Sequence, residues 1–235
     1  MDVDESSLRS LPGWWTGYPV ELLVLTMTFV LFTLGLQIWP GASELLEFSR
    51  PTYEQGAFWQ PVTSQWVHLS HWHAVGNAFA FVAIIFACGF WMRWPLQILA
   101  LAGGYIGVAV VVAFDPNCSY YAGASGALHG LLAGNAVGMA WAASPPDPSA
   151  QQPDQAGDSA SGRWTQLLGM AVLAAMALKL WMQASSMQET PLAGWSFPIY
   201  HPSHVAGALG GMGVVLLFLA ERAVLAAKIK SERHQ

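Results

Sequence analysis

Long apolar stretches alternate with shorter polar segments along the chain. A helix that crosses a bilayer needs about 20 mostly apolar residues, because the hydrocarbon core is about 30 Å thick. Several stretches reach that length, and we predict that they span the membrane: residues 20–39, 72–92, 95–114, 123–143, 164–183 and 203–221. The pattern therefore predicts an all-α fold, a polytopic membrane helix bundle with six transmembrane helices.

The composition supports this class and excludes others. Hydrophobic residues make up 54% of the chain and charged residues 10%, whereas soluble domains contain about 25% charged residues. The net charge is −5 and there is no basic tract, so we expect contacts with membrane lipids and none with nucleic acid. The 2 cysteines are too few for a structural zinc site built on thiolates.

The polar segments suggest how the chain is divided. We predict a cytoplasmic N-terminal tail at 1–19, a six-helix membrane domain at 20–221 and a basic cytoplasmic C-terminal tail at 222–235. Residues 144–163 contain Pro, Asp, Ser, Gln and Gly without apolar periodicity, which predicts a flexible cytoplasmic loop. The aromatic residues of the 40–71 connection favour a position partly in the membrane interface.

The basic residues also predict the orientation. An even number of spans puts both termini on one side, and the basic C-terminal tail places that side in the cytoplasm. Spans two, four and six then begin at the outer face. Most of the histidines lie near those beginnings: His68, His71, His73, His129, His201 and His204. We predict that His68 and His71 are interfacial loop residues.

The fourth span begins with Gly123-Ala124-Ser125-Gly126, and His129 follows one turn later. Its glycines recur every fourth residue and form a smooth stripe, at Gly126, Gly130, Gly134 and Gly138. Small residues let membrane helices approach closely, so a packing seam is one explanation of the motif. A packing seam does not explain why His129 lies one turn below Ser125.

The sixth span repeats this design, since His204, Gly207 and Gly211 share one face. If span four is its partner, Ser125 and His204 meet near the outer surface as a nucleophile and its base. The alternative is an interfacial histidine that caps the helix. No Asp or Glu lies near His204 in the sequence, so we expect no third member of a triad.

His73 and Asn77 lie four residues apart on the second span and share a face. Both side chains donate hydrogen bonds, and an acyl-transfer site needs donors aimed at the developing oxyanion. The alternative is ordinary hydrogen bonding between helices.

Together these motifs resemble those of the rhomboid family of intramembrane serine proteases, and the resemblance covers nearly the whole chain. The family hallmarks are Gly-x-Ser-Gly opening one helix, His with Gly-x-x-x-Gly on the last core helix, and His-x-x-x-Asn on the second. Here they are Gly123-Ala124-Ser125-Gly126, His204 with Gly207 and Gly211, and His73 with Asn77; His68 matches a frequent loop histidine.

Two positions depart from the family pattern. His129 stands where rhomboids often have a tyrosine that stacks on the catalytic histidine, and Trp59-Gln60 replaces a common Trp-Arg pair. The form Gly-x-Ser-Gly-x-Leu-His-Gly resembles the rhombosortase branch, bacterial enzymes that process proteins with a C-terminal Gly-Gly sorting tail.

The resemblance implies a Ser–His dyad and no cofactor or metal. Ser125 is then the nucleophile and His204 the base, while His73 and Asn77 hold the oxyanion. Supporting positions are His129, Gly123, Gly126 and Gly207. The substrates are expected to be transmembrane proteins, cut near the periplasmic face of a bacterial inner membrane.

Two other functions remain open at this point. His73, His129 and His204 are candidates for a three-imidazole metal site, or for haem ligands in pairs. That explanation gives Ser125 and Asn77 no role. The second alternative is a rhomboid-like protein that binds client helices without cutting them.

Overall fold

The computed structural model describes residues 20–89, 91–142, 156–185 and 199–232. Helices form nearly all of this part of the chain, which confirms the all-α class. They are α1 Val20–Ile38, α2 Ala42–Leu46, α3 Arg50–Glu54, α4 Gln60–Thr63, α5 His71–Gly89, α6 Trp94–Phe114, α7 Ser125–Ala142, α8 Ala156–Ser185 and α9 His201–Glu232. Two short strands, β1 Phe48–Ser49 and β2 Tyr120–Tyr121, pair antiparallel.

Five helices in these described ranges are long and apolar enough to cross a membrane: α1, α5, α6, residues 162–185 of α8 and residues 201–225 of α9. The fourth predicted span corresponds to α7, which lies at the centre of the bundle and packs against α6, α8 and α9. Neighbouring helices shield α7, so it can carry polar groups such as the fully buried Asn135. The count of six spans remains a prediction.

Two helices extend beyond the predicted spans. α8 begins at Ala156, so the second half of the predicted 144–163 loop is helical, and α9 continues through the basic tail to Glu232. Outside the hydrocarbon a helix needs no continuous apolar run, and the alanines of these extensions favour helix. Residues 1–19 and the first half of the 144–163 loop lie outside the described part.

Glycines bring α7 and α9 into backbone contact. A Cβ atom added at Gly207 would overlap the carbonyl oxygen of Gly126, and one added at Gly130 would lie 2.6 Å from the carbonyl oxygen of Gly207. The packing of span four against span six is therefore observed. This contact fixes the distance between the N-terminal ends of both helices.

The connection between α1 and α5 is anchored to the C-terminal end of α6 by Arg50. Its guanidinium donates hydrogen bonds to four backbone carbonyls, those of Val112, Ala113, Asp115 and Cys118, at 2.6–3.1 Å. Gln60, in place of the family arginine, accepts hydrogen bonds from the Ser49 N–H and the Thr52 hydroxyl. Phe58 and Trp59 remain exposed, as a position in the interface would require.

Candidate active site

Ser125 and His204 meet at the N-terminal ends of α7 and α9. Ser125 is the first residue of α7, and His204 lies in the first turn of α9. The Ser125 Oγ is 2.9 Å from the His204 Nε2. His204 is only 5% exposed, so it is a buried partner of the serine and not an interfacial cap.

Gln183 of α8 contacts the second ring nitrogen of His204. Its Oε1 lies 3.1 Å from the His204 Nδ1. An amide oxygen only accepts hydrogen bonds, so the Nδ1 must be the donor. The Nε2 is then free to accept the hydroxyl hydrogen of Ser125. A third residue therefore contacts the pair, through a neutral amide and not through the carboxylate of a triad.

His129 stacks on His204. The ring centroids are 4.2 Å apart and the ring planes differ by 15°. The His129 Nδ1 donates to the carbonyl oxygen of Ser125 at 2.7 Å, and the amine of Lys179 lies 2.6 Å from the Nε2. His129 therefore occupies the stacking position expected for it, and it is fixed by a bond at each nitrogen.

His73 and Asn77 lie on the other side of Ser125 and are almost fully buried. His73 lines an outer cleft together with Ser125 and His204, whereas Asn77 lines a deeper cavity with Ser125 and His129. Within the described residues, the amide nitrogen of Asn77 is buried and has no hydrogen-bond partner. The two donors therefore border the serine from different depths.

Gly123 makes room for His73. Its φ is +126°, a conformation that side chains disfavour, and an added Cβ would lie 2.6 Å from the His73 Cε1. The backbone before the serine thus lies directly against the imidazole, which only glycine permits.

His68 differs from the prediction. It is 3% exposed, not interfacial, and its ring meets that of His73 edge-on at 4.9 Å. Its Nε2 accepts a hydrogen bond from the N–H of Ala124 at 3.4 Å. Burial, aided by the neighbouring His73, lowers the pKa of His68 to about 3. His68 is therefore a neutral support beneath the site, whereas His71 is exposed as predicted.

Two cavities meet at Ser125. The outer cleft, of about 80 Å³, is bordered by Tyr120, Tyr121 and Tyr200. The Tyr200 hydroxyl donates to Asp115 at 2.5 Å, and this bond lowers the pKa of that carboxyl. The deeper cavity, of about 440 Å³, is apolar and lies between α5, α7 and α8. The serine thus borders a small cleft lined by tyrosines and histidines and a larger apolar cavity.

Lys179 and Gln183 were not among the predicted site residues. The available signal was two polar residues four apart at the outer end of an apolar span. Gln183 has no carboxylate, so it does not match the third member of a triad. The position of Lys179 near the end of its span is typical of a lysine whose side chain extends to the membrane interface.

No three His, Cys, Asp or Glu residues within 20–89, 91–142, 156–185 and 199–232 are grouped to hold a metal ion. The Nε2 atoms of His129 and His204 are bonded to Lys179 and Ser125 instead.

Residues 55–221 match the family model described as the Rhomboid domain. The chain belongs to the rhomboid family. Rhomboids are intramembrane serine proteases that act on transmembrane substrates, so this rhomboid is a multi-pass membrane hydrolase of peptide bonds. No curated protein and no solved structure matches the chain.

Proposed function

We propose that this rhomboid cleaves transmembrane substrates through a dyad of Ser125 and His204. The observation that carries the proposal is the contact of 2.9 Å between the Ser125 Oγ and the His204 Nε2, in a ring whose Nδ1 faces an acceptor. This is the tautomer that a general base needs. In that tautomer the Ser125 hydroxyl can donate to the Nε2 lone pair, which then removes the proton.

The reaction follows the acyl-enzyme route. The Ser125 Oγ attacks the carbonyl carbon of the scissile peptide bond, and the His204 Nε2 takes the hydroxyl proton. When the tetrahedral intermediate breaks down, the C–N bond is cleaved and the proton passes from His204 to the leaving amine. A water molecule, deprotonated in turn by His204, then attacks the ester carbonyl carbon. The bond to the Ser125 Oγ breaks, the acid product leaves, and His204 returns the proton to the Oγ.

Three groups are available to hold the oxyanion: the His73 imidazole, the Asn77 amide and the N–H of Ser125. Asn77 supports this role because its buried amide nitrogen has no other partner in the described part of the chain. The Ser125 N–H is at the first position of α7, where N–H groups lack partners within the helix. The helix dipole adds positive potential at the same place.

The outer cleft is the side from which water reaches the acyl-enzyme, which fits an active site near the periplasmic face of a bacterial inner membrane with both termini in the cytoplasm. The substrate enters beside α8 through the apolar cavity and must unwind, because a regular helix engages its own carbonyls. A Gly-Gly pair makes unwinding easier, since glycine disfavours helix by about 1 kcal/mol.

We further propose the rhombosortase branch, with C-terminal Gly-Gly sorting tails as substrates. The sequence from Gly123 to Gly130 supports it, because it includes His129, and His129 takes the place of the usual tyrosine in contact with His204.

The test is cleavage of two co-expressed reporters, one with a Gly-Gly, transmembrane and basic C-terminal tail and one a generic rhomboid substrate. Ser125→Ala and His204→Ala are compared with the wild type. Matched controls are Ser119→Ala and His71→Ala, both at exposed positions. Labelling of purified protein by a fluorophosphonate, which reacts with activated serines, gives a readout independent of the substrate.

The proposal expects the wild type and both controls to cut the Gly-Gly reporter and to be labelled, and both dyad variants to do neither. Cleavage of the generic reporter alone would keep the dyad and overturn the branch. Undiminished cleavage or labelling in Ser125→Ala would overturn the dyad.

A further inference from the structure

One face of α8 carries two polar side chains into the site. Lys179 and Gln183 are four residues apart and share that face. The amine of Lys179 contacts His129 and the amide oxygen of Gln183 contacts His204. Between them, the carbonyl oxygen of Leu180 accepts a hydrogen bond from His201 at 3.0 Å. One turn of α8 thus contacts three histidines.

The two polar side chains determine where hydrogen is placed on the stacked rings of His129 and His204. The Lys179 ammonium can only donate, so it requires an acceptor at the His129 Nε2 and leaves hydrogen on the Nδ1. That Nδ1 bonds the Ser125 carbonyl oxygen. Gln183 likewise leaves hydrogen on the Nδ1 of His204. When the His204 ring is neutral, its remaining lone pair is on the Nε2, 2.9 Å from the Ser125 Oγ.

We propose that Gln183 and Lys179 are positioning residues of the dyad. Gln183 fixes the tautomer and rotation of the His204 ring, and Lys179 fixes the His129 ring that stacks on it. This inference rests on the proposed function, since it assumes that Ser125 and His204 carry the reaction. Without the Gln183 acceptor, His204 can place its hydrogen on the Nε2, where it can no longer accept the serine proton.

The placement of these side chains supports the assignment. Ionisable residues in membrane-spanning segments are costly and usually face a partner or a cavity. Lys179 borders the apolar cavity and contacts an imidazole there. Gln183 is half-buried, whereas its neighbour Met182 is 56% exposed and faces away. The polar residues therefore belong to the site side of α8.

For each of the two residues, one variant removes the hydrogen-bonding group and a second variant replaces it conservatively. Gln183→Leu removes the acceptor and Gln183→Glu keeps one; Lys179→Met removes the donor and Lys179→Arg keeps one. Met182→Ala on the same turn is the matched control. The measurements are kcat and KM for a transmembrane substrate, the rate of fluorophosphonate labelling, and the thermal midpoint of the purified full-length protein.

The inference expects Gln183→Leu to lower kcat and the labelling rate about 10- to 100-fold, a part of what a general base contributes, with KM and the thermal midpoint unchanged. Lys179→Met should lower kcat and the labelling rate about 3- to 10-fold, as expected for one weakened ring stack. Gln183→Glu, Lys179→Arg and Met182→Ala should remain near the wild type.

Wild-type kcat and labelling in Gln183→Leu would overturn the inference while leaving the dyad intact, provided that Ser125→Ala is inactive. It would also be overturned if Gln183→Glu were as slow as Gln183→Leu, or if the loss appeared only in KM and the thermal midpoint. Activity in Ser125→Ala would overturn the proposed function itself.

Discussion

Ser125 lies between two pairs of histidines that are held in different ways. On one side, His129 and His204 stack nearly parallel, and each ring has a hydrogen-bond partner at both nitrogens. On the other side, His68 meets His73 edge-on at 87° in a closely packed, buried environment. The first pair joins α7 and α9, with contacts from α8. The second belongs to α5 and the residues just before it.

The difference matches the tasks that the proposed mechanism gives to each pair. A general base must accept and return a proton without losing its orientation, so hydrogen bonds that fix one tautomer are useful. An oxyanion donor must keep its position, and burial against another ring restricts the movement of His73. Hydrogen bonds at both nitrogens thus characterise the pair of His129 and His204, and an edge-on ring contact in a buried environment characterises the pair of His68 and His73.

The largest effect is expected where α9 carries His204 to the serine. Gly207→Val should lower cleavage about 100-fold or more, because the new side chain meets the Gly126 carbonyl and forces the helices apart, and a shift of about 1 Å is enough for such a loss. The matched control is Gly213→Val, which has nothing within 4 Å of its added Cβ. Reporter cleavage and fluorophosphonate labelling measure the activity of both variants. Equal activity in the two variants would contradict a functional role for the glycine contact.

A smaller effect is expected at the stacked ring. His129→Ala should lose about 10-fold or more in kcat, whereas His129→Phe should lose about 3-fold, because phenylalanine keeps the stack but not the two hydrogen bonds. Steady-state cleavage of the transmembrane reporter gives kcat for both variants. If both variants matched the wild type, the ring would not position His204.

The smallest expected effect is on the stability of the protein and involves the pair of His68 and His73. His68 is neutral when folded, with its pKa lowered from 6.5 to about 3, whereas the unfolded chain takes up a proton near pH 6.5. Its contribution to stability is therefore complete above about pH 6.5 and is lost as the pH falls towards 3, by at most about 1.4 kcal/mol per pH unit.

His68→Gln keeps an acceptor for the Ala124 N–H but does not titrate. We expect its thermal midpoint to fall less steeply than that of the wild type between pH 7 and pH 4. His71→Gln, at an exposed position, should keep the wild-type slope. The buried His68 would be excluded as the cause if both variants kept that slope.

The sequence analysis predicted the positions of the helices and the contact between Ser125 and His204 because both follow from local patterns. An apolar run of sufficient length predicts a span, and a repeat of glycines on one face predicts a close helix contact. The beginnings of spans four and six then coincide in depth. The loop prediction for 156–163 was wrong because apolar periodicity is a poor guide to helices outside the lipid.

The role of α8 and the burial of His68 could not be predicted in this way. Gln183 and His204 are 21 residues apart in the sequence, and Lys179 and His129 are 50 apart. Whether they meet depends on the rotation of α8 about its axis, which its hydrophobic pattern barely restricts when most of its surface faces lipid. His68 is buried because the backbone before α7 folds over it, a contact between residues 56 apart.

The sequence by itself determined the membrane class, the long apolar helices and the residues proposed as nucleophile and base, since length, apolarity and glycine spacing act within single helices. Only the tertiary structure decided which nitrogen of His204 faces Ser125, what holds His129 in its stack and which histidines are shielded from water. Those properties depend on side chains from separate helices meeting within hydrogen-bond distance, and only the packing of the whole bundle sets that distance.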